Sequence, residues 1–212
     1  MEALPKSSQQ SSRARRARLW LRREVLPTLA LLLLLGTARA SFANHYLVPS
    51  GSMQPTLQPG DRVAVDMSAY GLRVPFTRHV LVERDQPRRG DVVVFDSPAD
   101  GTRLIKRVVA VAGDRVELRD GHLAINGAPM DDTVQRDAER FGTRVARLDL
   151  ADGGGPDIAG VLVPPGYVLV LGDHRGRSAD GRWFGFVEAD AIYARALAVY
   201  WRSGEGPGWR RL

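Results

Sequence analysis

The chain has 212 residues, 44% of them hydrophobic, with 30 Lys plus Arg against 24 Asp plus Glu, a formal charge of +6 and no cysteine. That length suits one domain with appendages and a real core, and the lack of cysteine excludes a disulfide framework. Residues 1–40 hold eight basic and two acidic side chains, which is the whole excess, while the other 172 residues balance 22 against 22; a neutral body excludes nucleic acid as a partner at the level of net charge.

The basic tail, residues 1–24, runs into VLPTLALLLLLGTA, residues 25–38, which carries no charge. A basic stretch followed by an apolar one is a membrane-targeting pattern, with the basic end kept in the cytoplasm. Fourteen helical residues reach only about 21 Å, short of the ~30 Å hydrocarbon core, so a span needs its flanks, with Arg39 reaching back to the interface. Two readings stay open: an anchor over 25–43, or a leader cleaved after ARA, before Ser41. Both put residues 41 onward outside the cytoplasmic membrane.

Beyond this point the pattern predicts a mainly β domain over 44–202. RVAVDM (62–67), DVVVFD (91–96), LIKRVVAVAG (104–113) and YVLVLG (167–172) are apolar runs of strand length between Gly, Pro and Asp. AIYARALAVYW (191–201) reads as a further strand, although its alanines also suit a helix. Asp120-Gly121 and Asn126-Gly127 mark tight hairpin turns. AYGLRVPF (69–76) is either an ordinary hairpin or a shallow lipid contact through Tyr70, Leu72 and Phe76, joined by Trp201 and Trp209. Residues 131–160, polar and glycine-rich, predict a surface insertion, and 203–212 predict a mobile tail.

Only two of the 30 basic residues are lysines: Lys6 in the tail and Lys106 inside LIKRVVAV. Arginine cannot usefully lose its proton, whereas a desolvated lysine can. Lys106 is therefore either a general base or a chance survivor paired with an aspartate. VPSGSMQPTL (48–57) raises a matching question, because Ser52 is either a loop hydroxyl or a nucleophile. Gly51 before it permits a sharp bend and a close approach of substrate.

VPSGSMQPTLQPGDRVAV, RGDVVVFDSPADGTRLIKRVVAVAGDRV and PPGYVLVLGDHRGRSADGRWFGFV, in that order, resemble the boxes of bacterial type I signal peptidases. The resemblance implies a membrane-anchored serine endopeptidase with a Ser-Lys dyad and an SH3-like or coiled β-barrel core, cutting signal peptides from exported preproteins after small-x-small sites. It implies a single-pass protein of the bacterial inner membrane, in contact with the lipid bilayer, its catalytic domain on the periplasmic side, with no cofactor. By position it makes Ser52 the nucleophile and Lys106 the base. Ser50, with the Ser52 N–H, becomes the oxyanion donor, and Ser178 the hydroxyl that orients the lysine. Asp180 and Arg182 match a structural ion pair, with Asp173 near the site. Tyr46, Val48, Met53, Leu57, Leu104 and Ile105 match the lining of pockets for small residues at −1 and −3. His174, Gly176, Arg177 and Gly181 depart from the usual Asn, Asp, Asn and Ser.

Three alternatives change the chemistry, the substrate or both. A Ser-His-Asp triad has His45, His79, His122 or His174 as candidates, with Asp173 beside His174. A Ser-Lys protease dedicated to one pilin or conjugation precursor keeps the dyad and narrows the substrate. An anchored β module binding extended peptides lacks catalysis altogether. No histidine pair has metal-ligand spacing, so no metal is expected.

Overall fold

The computed structural model describes residues 20–31, 44–73, 80–135 and 137–212. They fall into two units, Met1–Ala40 and Ser41–Leu212. In the first, residues 20–31 are helical, with π-type spacing over Leu21–Val25 and largely exposed Trp20, Leu26 and Leu31. Among the described residues no helix is long and apolar enough to cross a membrane. Most of the expected basic tail, the second half of the expected anchor and the ARA–Ser41 junction lie outside the described residues. So do Phe76, His79 and the side chain of Leu72.

The second unit is mainly β. In chain order its strands are β1 (Asn44–Leu47), β2 (Arg62–Asp66), β3 (Gly71–Arg73), β4 (Val80–Glu83), β5 (Val92–Asp96), β6 (Arg103–Val111), β7 (Arg115–Arg119) and β8 (His122–Ile125). Then come β9 (Ala128–Pro129), β10 (Ala138–Phe141), β11 (Arg144–Arg147), β12 (Ile158–Leu162), β13 (Tyr167–Leu171), β14 (Val187–Glu188), β15 (Ala194–Arg202) and β16 (Gly206–Arg211). The main sheet runs β1-β2-β15-β5-β6-β13-β14, with β16 also on β15. Because β2 pairs along most of β15, strands β5 and β16 share its other edge, one at each end. A second sheet, β12-β7-β8-β9, and the hairpins β10–β11 and β3–β4 complete the unit.

The apolar run of β5 is continuous because both its faces are covered. Val93 and Phe95 enter one core cluster with Val108 and Val170, while Val92 and Val94 enter another with Val63, Val65, Met53 and Leu57. The residues of β15 follow the same period: Ala194, Ala196 and Ala198 are all buried. That two-residue alternation decides for a strand where alanine content alone favoured a helix. At the predicted turns, Asp120 and Gly121 (φ 49° and 84°) and Asn126 and Gly127 (φ 53° and 78°) take the left-handed pairs of two-residue hairpins.

Three expectations need correction. Residues 131–160 are not merely a surface insertion: Ala138, Glu139, Phe141, Ala146 and Leu148 are buried, and Phe141 and Ala146 join a core cluster. Residues 206–211 form β16 instead of a mobile tail. Tyr70 is 8% exposed, with its hydroxyl donating to Asp91 Oδ2 at 3.0 Å, so it is a core residue and not a lipid contact.

Candidate active site

The site lies where the 48–61 loop meets β6. That loop is pinned at its ends, with the Val48 N–H on the Asp61 carbonyl and the Gly60 N–H on the Val48 carbonyl, both at 2.9 Å. Fully buried Asp61 also takes the Gln58 N–H and the Arg202 guanidinium, each at 3.0 Å. Met53 and Leu57, both at 0% exposure, anchor the turn into the core and leave Ser52 at the surface between them and β6.

On β6, Lys106 is 3% exposed. Its Nζ lies 2.6 Å from Ser52 Oγ and 3.2 Å from the Ile105 carbonyl. Burial, opposed by the Asp180 and Asp173 carboxylates, lowers the amine from 10.5 to about 8. Near neutrality a fraction of the molecules therefore carries a free base against the serine hydroxyl. Ser50 Oγ lies 3.4 Å from Ser52 Oγ and is exposed.

The carbonyl of Ser52 is held by the His174 N–H at 3.2 Å, which ties the serine's backbone to the loop after β13. Gly172 makes that approach possible. A Cβ there would fall 2.2 Å from Ser178 Oγ and 2.4 Å from the Ser52 carbonyl oxygen. At Gly51, by contrast, a Cβ would meet only the side chain of Gln54, whose amide can swing aside, so the glycine this turn depends on is Gly172. Ser178 Oγ is buried and has no hydrogen-bond partner, and it makes no bond to the Lys106 amine in this conformation.

Around the pair sit three buried arginine–carboxylate pairs. Arg107 bonds Asp173 through Nε (2.9 Å) and Nη2 (2.7 Å), and the Thr56 hydroxyl donates to Asp173 Oδ2. Arg182 bonds Asp180 through Nε and Nη2, both at 2.8 Å. Asp180 also takes the Gly172 N–H and, at 3.2 Å, the Arg182 N–H, capping the helical turn α1 (Gly181–Phe184). Arg175 bonds Glu139 at 2.6 Å, both fully buried. The Arg107–Asp173–Thr56 link is missing from the sequence reading. Its only trace in the sequence is an arginine inside an apolar strand.

Among the described histidines the triad alternative fails on geometry; His79 lies outside the described residues. Asp173 is committed to Arg107, while His174 Nε2 lies 2.9 Å from Asp152 and its Nδ1 has no hydrogen-bond partner. His122 faces Asp131, and His45 packs edge-on against Tyr200. Of the atypical residues of the third box, His174, Gly176 and Arg177 dock the 149–153 turn, while Gly181 packs against Leu169 and Val170 of β13. A Cβ at Gly176 would sit 2.3 Å from the Asp152 carbonyl oxygen, and Arg177 Nε is 3.8 Å from Asp152.

The expected pocket lining divides. Met53 and Leu57 are fully buried and Val48 is 2% exposed, so no substrate atom reaches the first two in this conformation; they support the site from beneath. Tyr46, Leu104 and Ile105 remain partly exposed. Tyr46 lies under the guanidinium of Arg103, 5.1 Å from its ring centroid.

A profile of the family described as signal peptidase, peptidase S26, matches residues 21–201. Among similar proteins, a probable signal peptidase I-2 of Synechocystis sp. is 29% identical over 189 residues, 86% of this chain and 73% of its own length. A signal peptidase I of Pseudomonas fluorescens is 31% identical over 206 residues, 85% of this chain and 71% of its own. One of Leptolyngbya laminosa is 31% identical over 191 residues, 84% and 80% respectively. With a buried lysine against a surface serine on a mainly β scaffold, and a profile that spans most of its length, the chain belongs to the signal peptidase family, peptidase S26.

Proposed function

We propose that this chain cuts signal peptides from exported preproteins, with Ser52 as nucleophile and Lys106 as general base. The reading rests on one observation: a lysine 3% exposed, with its amine lowered to about 8, lies 2.6 Å from a serine hydroxyl. The neutral amine takes the Ser52 proton, Ser52 attacks the scissile carbonyl, and the ammonium returns the proton to the departing amine. Water then releases the acyl group with Lys106 again as base. The Ser50 hydroxyl and the Ser52 N–H are the donors we assign to the oxyanion, where losing one donor typically costs ~3 to 4 kcal/mol. The unpartnered Ser178 hydroxyl is the group we assign to steady the amine after Ser52 has given up its proton.

The substrate lies extended along β6. β5 pairs with residues 103–107, whereas β13 ends opposite Arg107, so among the described residues one edge of 103–106 has no strand partner. An extended peptide completes such an edge with main-chain hydrogen bonds. Partly exposed Tyr46, Leu104 and Ile105 then select small side chains at −1 and −3.

We assign the main sheet to the SH3-like coiled barrel of the family, the 25–43 segment to a single-pass anchor, and the 44–202 body to the outer side of the bacterial inner membrane. The basic tail ahead of the apolar run supports this orientation. Trp201 and Trp209, 43% and 61% exposed, lie on the paired strands β15 and β16 and suit a headgroup contact. The test is cleavage of a purified exported precursor by the full chain and by Ser52→Ala and Lys106→Ala. Loss in both variants is expected; turnover by folded Ser52→Ala overturns the proposal.

A further inference from the structure

An open cavity of about 490 Å³ is lined by four arginines, Arg147, Arg202, Arg210 and Arg211, together with Pro55 and Thr56 of the 48–61 loop. We infer that this cavity is a phosphate-binding site. Each guanidinium carries five N–H donors and no acceptor. The protein supplies few acceptors for them: Asp61 and the Thr56 carbonyl for Arg202, Glu205 for Arg210, and the Gln135 side-chain oxygen, 3.2 Å from Arg147 Nε. Among the described residues Arg211 has no side-chain acceptor. Set against Asp61 and Glu205, the four guanidiniums leave the cavity net positive, although residues 41–212 as a whole balance 22 basic against 22 acidic side chains.

The volume lies in the range of small-ligand sites. A phosphate offers only acceptor oxygens and negative charge, and guanidinium forks match it bidentately. Two sources present the same chemistry: a free phosphate or phosphate monoester, and the phosphate of an anionic lipid headgroup. The site also borders the catalytic loop. Thr56, whose carbonyl takes Arg202 Nη2, donates its hydroxyl to Asp173, the carboxylate paired with Arg107 next to the base. An occupied cavity therefore pulls on the same turn that presents Ser52.

The test is titration of the full chain, at ~150 mM salt to screen diffuse attraction, with inorganic phosphate and glycerol phosphate. A parallel arm measures co-sedimentation with phosphatidylcholine vesicles with and without phosphatidylglycerol. The variants are Arg147→Gln/Arg211→Gln, Arg147→Lys/Arg211→Lys, which keeps the charge but loses the fork, and a control, Arg88→Gln/Arg119→Gln. The control arginines are 72% and 83% exposed and lie elsewhere on the surface. Saturable binding of the soluble phosphates is expected, weakened about tenfold or more by the Gln pair, less by the Lys pair, and unchanged in the control. Phosphatidylglycerol-dependent sedimentation lost in the same Gln pair assigns the lipid source; sedimentation indifferent to it assigns the soluble one. Absence of saturable phosphate binding by the wild type, or an equal loss in the control pair, overturns the proposal.

Discussion

Replacing Lys106 by methionine removes the amine while keeping a side chain of similar length, and the structure sets the size of the effect. Lowering the amine from 10.5 to about 8 by burial corresponds to roughly 3 kcal/mol against its charged form, at ~1.4 kcal/mol per pH unit. The sign follows from proton counts. Between about pH 8 and 10.5 the unfolded chain binds the proton and the folded chain does not, so stability rises with pH in that window. Below pH 8 both forms are charged and the folded state carries the full penalty. Lys106→Met should therefore be more stable than wild type at pH 7, by up to about 3 kcal/mol, and the advantage should vanish by pH 10.5. Burial also holds the Tyr70 and Tyr193 hydroxyls protonated well above the ordinary tyrosine value, which lowers stability as the unfolded tyrosines ionise, but both proteins share this and the difference cancels it. The assay is denaturant unfolding of both proteins from pH 6 to 10.5, alongside cleavage rates of a precursor peptide. At pH 7 about one amine in ten is neutral, so wild-type kcat/KM should climb about tenfold toward a plateau above pH 8, while the variant stays inactive throughout. Parallel stability profiles for the two proteins would refute the claim that this amine is desolvated.

Lys106→Arg keeps the charge and should fold yet remain as inactive as Lys106→Ala, since guanidinium holds its proton at any working pH; turnover by the folded variant removes Lys106 from the mechanism. Gly172→Ala should cost ~1 to 3 kcal/mol and at least about 100-fold in kcat, because the Ser52 carbonyl cannot retreat from the new Cβ, whereas Gly208→Ala, which meets nothing within 4 Å, should change neither. Asp173→Asn breaks a bidentate pair with side chains 4% and 1% exposed and should cost ~3 to 5 kcal/mol in unfolding experiments. Ser178→Ala removes a buried hydroxyl without a partner, so stability should hold or rise while kcat falls about 10- to 100-fold; unchanged kcat would leave that hydroxyl without a role.

The strands were legible because burial imposes period two on them, and the reading failed where charge hid burial. Residues 131–160 look like solvent-facing chain because Glu139 and its neighbours are polar, but Glu139 is buried against Arg175, 36 residues away. Asp173 beside His174 invites pairing by adjacency, yet its partner is Arg107, 66 residues upstream. A buried ion pair looks in sequence like two surface charges, and only tertiary structure assigns the partner.

The same geometry supports the general-base role proposed for the lone lysine. Arg107, Arg175 and Arg182 are buried cations, and each forks onto a carboxylate, as a group that stays charged must do when taken out of water. Lys106 is as buried as they are, yet among the described residues its amine bonds only a serine hydroxyl and a backbone carbonyl. A charge retained for structure needs the carboxylate that the three arginines have; a base needs to lose its proton, and a carboxylate in contact would prevent that. Among the described residues no carboxylate pairs directly with Lys106, as the proposed base requires and as a chance survivor would not, and arginine fills the neighbouring positions where permanent charge is held.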